Sequence, residues 1–192
     1  PQSKIDNIEI DPAVIKVARD YFGFIENDKI KTYNQDGRIF IKRALLTKQQ
    51  YDWIILDAFN GDYIPEHIMT KEFLQETKQL LSENGVLSSN TFSISGLYAH
   101  ESATYKAVYG DFYQVSNRAN ANRIILVSKN GFADSTINPK NITQLDDKLS
   151  VYGIDINLLY RSMINTKHKQ NWPDNTRLLT DQFSPANLLN AN

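Results

Sequence analysis

Three acidic residues, Glu9, Asp36 and Asp57, each follow a run whose apolar pattern reads as a β-strand. In open α/β sheets ligands bind beyond the carboxyl ends of the strands. A carboxylate in the first of these places can accept two hydrogen bonds from the hydroxyls of a ribose. One after the next strand can receive an adenine amino group, and a third, one strand further on, faces the reactive end of the same ligand. Helix capping explains any single one of the three at least as well, because Asp and Glu are common at helix starts. Three in succession favour a site. Asp57 leads into Ala58-Phe59-Asn60-Gly61-Asp62-Tyr63-Ile64-Pro65, which puts an acid, an amide, a phenol and a flexible glycine into one loop. A surface loop with Tyr63 packed on the domain is the plainer reading, but loops at this end of a sheet often carry function.

The elements that must hold these groups follow from periodicity. Lys4 to Ile10 alternates apolar and polar residues, and Asp11-Pro12 supplies an N-cap with proline at the first helical position. Val14, Val17, Ala18, Tyr21 and Phe22 then line one helix face, with Gly23 as the stop. Lys29 to Tyr33 predicts a second strand, and the helix after Asp36-Gly37 carries Ile39, Phe40, Ala44 and Leu45. Tyr51 to Leu56 reads as a buried strand. Thr70 caps a helix with Phe73, Leu74, Thr77, Leu80 and Leu81 inward; Asn84-Gly85 ends it, and Val86 to Asn90 returns as a strand. This alternation predicts an open, mainly parallel α/β sheet. Asp111 to Ser116 and Arg123 to Ser128 are joined by too few residues for a crossover helix, so they predict an antiparallel hairpin. Two weaker helical patterns follow, Thr143 to Val151 and Ile156 to Met163. Residues 1–133 thus read as the sheet-bearing core and 134–192 as a helical extension of the same domain.

Composition narrows the function. The 192 residues carry 21 basic and 22 acidic side chains, a formal charge of −1, which does not suit a general nucleic-acid binder. Hydrophobic residues at 41% and aromatics at 11% are too abundant for a disordered chain. The apolar runs Trp53 to Leu56 and Ile124 to Val127 are too short to span a bilayer, and Pro1-Gln2-Ser3-Lys4 does not begin a signal peptide. Without cysteine there is no disulfide, thiolate metal site or Cys nucleophile, which fits a cytoplasmic protein. His67, His100 and His168 show no metal-ligand spacing, and the serines from Ser88 to Ser95 form no nucleophile elbow. Tyr98, Tyr105 and Tyr109 read as packing residues on a helix. Leu179 to Pro185 is either a site-lining segment, with Asp181 polar among apolar neighbours, or a simple turn.

Several of these stretches together resemble the polyamine aminopropyltransferases, spermidine synthase and its bacterial relatives. They are Ile8-Glu9-Ile10-Asp11-Pro12-Ala13-Val14, Asp36-Gly37-Arg38, Tyr51 through Phe59, Gly85-Val86-Leu87 and Leu179 through Pro185, in family order along nearly the whole chain. The resemblance implies a Rossmann-like, methyltransferase-type sheet and transfer of an aminopropyl group from decarboxylated S-adenosylmethionine, a co-substrate rather than a permanently bound cofactor, to putrescine or a related amine. It implies that Glu9 holds the ribose, that Asp36 and Gly37 bind adenine, and that Asp57 accepts the proton of the attacking amine. Residues from Ala58 to Pro65, with Asn60, Asp62 and Tyr63 as substrate-binding candidates, correspond to the gatekeeping loop. No metal, nucleic acid or membrane partner is implied, and a homodimer is compatible.

The sequence also departs from the family. Asn60 stands where the second active-site acid is expected, with Asp62 two positions on, and no Tyr stands near Asn117. These changes leave the acceptor amine open. The family's first strand and glycine-rich loop have no counterpart before Pro1, so a fragment is expected, weak in binding methylthioadenosine and inactive in transfer by itself. A gap or a substitute strand is expected between the strands ending at Glu9 and Asp57. Two other functions stay open: an S-adenosylmethionine-dependent methyltransferase, and a non-catalytic nucleotide- or polyamine-binding module.

Overall fold

A computed structural model describes residues 2–59, 64–93, 95–117, 122–132 and 139–185. The chain divides into two compact units, Pro1–Gln49 and Gln50–Asn192. The first unit is a βαβα repeat: β1 (Ile5–Glu9), α1 (Pro12–Phe22), β2 (Ile30–Asn34) and α2 (Gly37–Leu46). β1 and β2 run parallel, from Ile5 opposite Ile30 to Glu9 opposite Asn34. Local chemistry sets the helix ends. Asp11 accepts a hydrogen bond from the Ala13 amide, Pro12 opens α1, and Gly23 closes it at φ 66°, a left-handed conformation with little cost for glycine. Asp36 caps α2 by accepting from the Ile39 amide.

The second unit contains β3 (Tyr51–Leu56), α3 (Lys71–Leu80), β4 (Leu81–Phe92), α4 (Leu97–Tyr109), β5 (Tyr113–Asn117), β6 (Asn122–Ser128), α5 (Pro139–Leu149), α6 (Ile156–Ser162) and β7 (Ile164–Asn165). Its sheet has the order β3-β4-β6-β5-β7. β3 and β4 are parallel, while β6 is antiparallel to both β4 and β5, as expected of the hairpin. The described strands thus form two sheets, and the strands ending at Glu9 and Leu56 do not pair with each other in either.

Phe73, Leu74, Thr77, Leu80 and Leu81 are all buried, as their spacing predicts. α3 and α4 are tied together by the Thr77 and Tyr109 hydroxyls, 3.0 Å apart, and by Lys78 Nζ donating to the Val108 carbonyl. Phe112 stacks on Trp172 with ring centroids 5.8 Å apart, bringing the tail of the chain onto the core.

Three expectations change. On α1 only Ile15 is buried; Val14, Val17, Tyr21 and Phe22 are exposed. On β3, Trp53 and Ile55 are 63% and 61% exposed, so the strand is covered on one side rather than both. Asn84-Gly85 does not end the helix, which stops at Leu80; the pair lies within β4. Gly85 packs so close to β3 that an added Cβ would lie 2.9 Å from the Tyr51 carbonyl oxygen and 3.0 Å from the Ser82 nitrogen. Both neighbours are backbone, so neither can swing aside. Gly85→Ala should therefore lower stability by about 1–3 kcal/mol, the usual cost of overpacking, read as a reduced urea midpoint at unchanged slope. A midpoint equal to wild type would mean that the β3–β4 ladder can shift freely at this point.

Candidate active site

Glu9 ends β1, half-buried, with Oε1 accepting from the Asp11 amide at 2.8 Å. Asn34, opposite Glu9 at the end of β2, donates its side-chain amide to the Glu9 and Ile10 carbonyls at 2.9 and 3.0 Å. Gln35 donates its backbone N–H to the Glu9 carbonyl, and Asp36 follows at the start of α2, with Gly37 as the first helical residue. Glu9 and Asp36 are thus brought to the same end of two adjacent parallel strands. Each also has a local capping or turn role, as the capping explanation expects.

Asp57 belongs to the second unit, immediately beyond β3, and is exposed. Its Oδ1 accepts a hydrogen bond from Asn90 Nδ2 at 3.0 Å, and Asn90 Oδ1 in turn accepts from Asn122 Nδ2 at 3.2 Å. Sequence reasoning missed both asparagines. Asn90 ends the run Val86 to Asn90, so a polar residue at a strand end beside Asp57 was the available signal; Asn122 had none. Asn60, Asp62 and Tyr63 lie outside the described residues. The chain on both sides of them is anchored: Phe59 packs edge-on against Phe92 at 5.3 Å, and buried Ile64 joins Met69, Leu97 and Leu179 in one apolar cluster.

The Leu179 to Pro185 stretch serves as a clamp on this region. The Leu179 amide donates to Thr104 Oγ1, and the Leu179 carbonyl accepts from the Lys71 amide. Thr70, the cap of α3, donates its hydroxyl to Asp181 Oδ1 at 2.6 Å, and the Asp181 amide donates to Glu72. Ser184 closes onto the Glu66 carbonyl. His100 Nδ1 pairs with the Arg177 carbonyl at 2.7 Å, while His67 and His168 are exposed. Among the described residues no group of three His, Asp or Glu could hold a metal ion.

Beneath the strand that carries Asn90 lies a buried charge. Arg123, fully enclosed, donates to Thr91 Oγ1 at 2.9 Å, Ser102 Oγ at 2.6 Å and Glu101 Oε2 at 2.9 Å, and its guanidinium sits 4.1 Å from the Tyr98 ring centre. Burial pushes the Glu101 carboxyl up to about 7; the Arg123 charge and the hydrogen bonds from Arg123 and Thr91 pull it back only in part.

Parallel strands with intervening helices, acids beyond their carboxyl ends and a later antiparallel hairpin together make a Rossmann-like fold of the methyltransferase type. Solved structures agree at the level of fold. Human methyltransferase-like protein 13 in complex with SAH has a TM-score of 0.67 at 24% identity, covering 91% of this chain and 76% of its own. A probable spermidine synthase from Corynebacterium glutamicum has a TM-score of 0.62 at 22% identity, covering 78% of this chain and 55% of its own. Sequence is more specific. Residues 2–120 match the spermine/spermidine synthase domain, and the chain belongs to that family. The polyamine aminopropyltransferase of Vibrio vulnificus is 47% identical over 190 residues, 98% of this chain; the match spans 62% of the Vibrio protein's length.

The Glu101 carboxyl leads to a pH prediction. In the unfolded chain it ionises in the ordinary carboxylate range, whereas the folded protein keeps its proton up to about 7. Its contribution to stability is therefore full at acid pH and is lost as pH rises through that interval. Glu101→Gln carries no titrating proton, so the wild-type thermal midpoint should fall relative to that of the variant between the ordinary carboxylate range and neutrality. Melting curves that stay a constant distance apart across the interval would show that Glu101 is already ionised.

Proposed function

We propose that the protein moves an aminopropyl group from decarboxylated S-adenosylmethionine to putrescine or a related amine. The observation that carries this reading is Asp57: an exposed carboxylate beyond a parallel strand, held through one oxygen by Asn90, in a chain of the spermine/spermidine synthase family. Asn90 engages one oxygen, Oδ1, and in this reading the other receives the ammonium. An amine attacks only when deprotonated, and near neutrality most of it is charged. Asp57 binds the ammonium and takes its proton, and the nitrogen lone pair then attacks the methylene beside the sulfonium. The new C–N bond forms as the C–S bond breaks, and the departing electron pair leaves sulfur neutral in methylthioadenosine. Catalysis is then a matter of position and general-base help.

In this reading Glu9 accepts the ribose hydroxyls, and Asp36 with Gly37 holds the adenine. Asn60, Asp62 and Tyr63 contact the amine from the loop after Asp57. Negative carboxylates suit two cationic substrates. Residues 1–133 act as the nucleotide-binding core, with 134–192 as its helical extension. The protein works in the cytoplasm on small molecules, without a permanently bound cofactor and without nucleic acid or membrane partners, and a homodimer is compatible with it. No helix among the described residues is long and apolar enough to cross a membrane.

Two substitutions in the complete protein test the assignment. Asp57→Asn should lower the turnover number roughly 10²–10⁴-fold, the range of general-base help, with methylthioadenosine affinity unchanged by calorimetry. Glu9→Gln keeps the shape but removes the charge; its affinity for methylthioadenosine should fall by one to two orders of magnitude, as about 1.5–3 kcal/mol per charge-assisted bond implies. A preference for S-adenosylmethionine over its decarboxylated form in the same titrations would instead identify a methyltransferase.

A further inference from the structure

Asp57, Asn90 and Asn122 form a row of side chains across three strands. Asn90 follows Ser89, the partner of Leu56, so it lies beside Asp57; Asn122 stands opposite Phe92, which places it diagonally across from Asn90 on the same sheet face. An ionised carboxylate can only accept hydrogen bonds. Asn90 must therefore turn its NH₂ toward Asp57, which leaves its carbonyl oxygen facing the other way. Nothing in an asparagine itself enforces that choice, because its terminal torsion has two nearly equivalent settings. The Asn122 amide enforces it, donating 3.2 Å to Asn90 Oδ1. If Asn90 flipped, two oxygens would face each other at Asp57 and two NH₂ groups at Asn122.

The sheet keeps Asn122 in place from behind. Its neighbour Arg123 points to the opposite face, where it binds Thr91 of β4 and Glu101 and Ser102 of α4. Thr91 is the residue after Asn90. The two strands are thus tied together next to both asparagines by a buried charge.

Resting on the general-base reading of Asp57, we infer that Asn122 is a positioning residue for the transfer reaction. It sets the orientation of the Asn90 amide, and Asn90 in turn holds the Asp57 carboxylate with one oxygen tied and the other presented to the amine. Asn122 touches neither substrate in this scheme.

Asn122→Asp tests the inference in the complete protein, because it keeps the shape but replaces the donor with an acceptor. Asn90 would then turn its NH₂ toward residue 122 and its carbonyl toward Asp57. The expected result is a fall in kcat of roughly 10- to 100-fold, the scale on which small misplacements of reacting groups act, with the KM for the aminopropyl donor within twofold of wild type. In an Asn90→Ala background the same substitution should change kcat by less than twofold, since the relay is already cut. Asn122→Ala, which removes the donor without adding charge, should give a smaller loss and serves equally if the aspartate variant does not fold. A kcat within twofold of wild type for both variants, where Asp57→Asn has lost activity, overturns the inference and leaves the function standing. So does a loss that persists undiminished in the Asn90→Ala background. If Asp57→Asn turns over normally, the general-base reading falls, and the relay is judged by the Asn90 side-chain amide resonances. Their displacement in Asn122→Asp supports the relay, and their constancy overturns it.

Discussion

The burial of one guanidinium constrains the second unit more than any other feature. Arg123 is the second residue of β6 and is wholly enclosed, so its charge must be compensated by groups that come to it. Thr91 supplies a hydroxyl from the neighbouring strand, Ser102 and Glu101 supply oxygens from α4, and the Tyr98 ring covers the cation's face. Together these contacts set the register of β4 on β6 and the rotation of α4 over the sheet. A hydrophobic residue of similar volume could fill the space, but it would not choose among sliding positions. Specificity of register is what a fully satisfied buried polar network provides.

The acids at the strand ends are each held by a structural partner, but not in the same way. Glu9 turns the chain into α1 through the Asp11 amide, and Asp36 starts α2. A carboxylate has two oxygens, and a cap uses one. Asp57 differs: its structural partner is a side chain, Asn90, rather than a backbone amide. A helix cap fixes a carboxylate to the fold, whereas a side-chain partner fixes it to another adjustable group.

Much of this was legible in the sequence because it depends on near neighbours. Asp11-Pro12, Asp36 and Thr70 are caps, and capping is settled within three residues. The α3 face from Phe73 to Leu80 reads correctly because one helix packs one stripe. The same rule fails on α1: its stripe is correct for a helix, but what covers a stripe is decided elsewhere in the fold. Val14, Val17, Tyr21 and Phe22 are exposed for that reason. β4 starts earlier than its sequence suggests because Asn84-Gly85 looks like a stop, while the structure uses the glycine for a close approach to Tyr51. The Asn90 and Asn122 pair was illegible, since it needs the register of three strands, and so was the link from Arg123 to Glu101, residues 22 positions apart.

The division into units has a spectroscopic consequence. Both tryptophans lie after Gln49: Trp53 is largely open to solvent, while Trp172 is buried against Phe112. Indole emission therefore reports on the second unit alone and mixes a wet chromophore with a dry one. The βαβα repeat of the first unit is silent to it, though its helices and strands contribute to the far-ultraviolet circular dichroism. Denaturation curves from the two probes coincide only if the units unfold as one cooperative body.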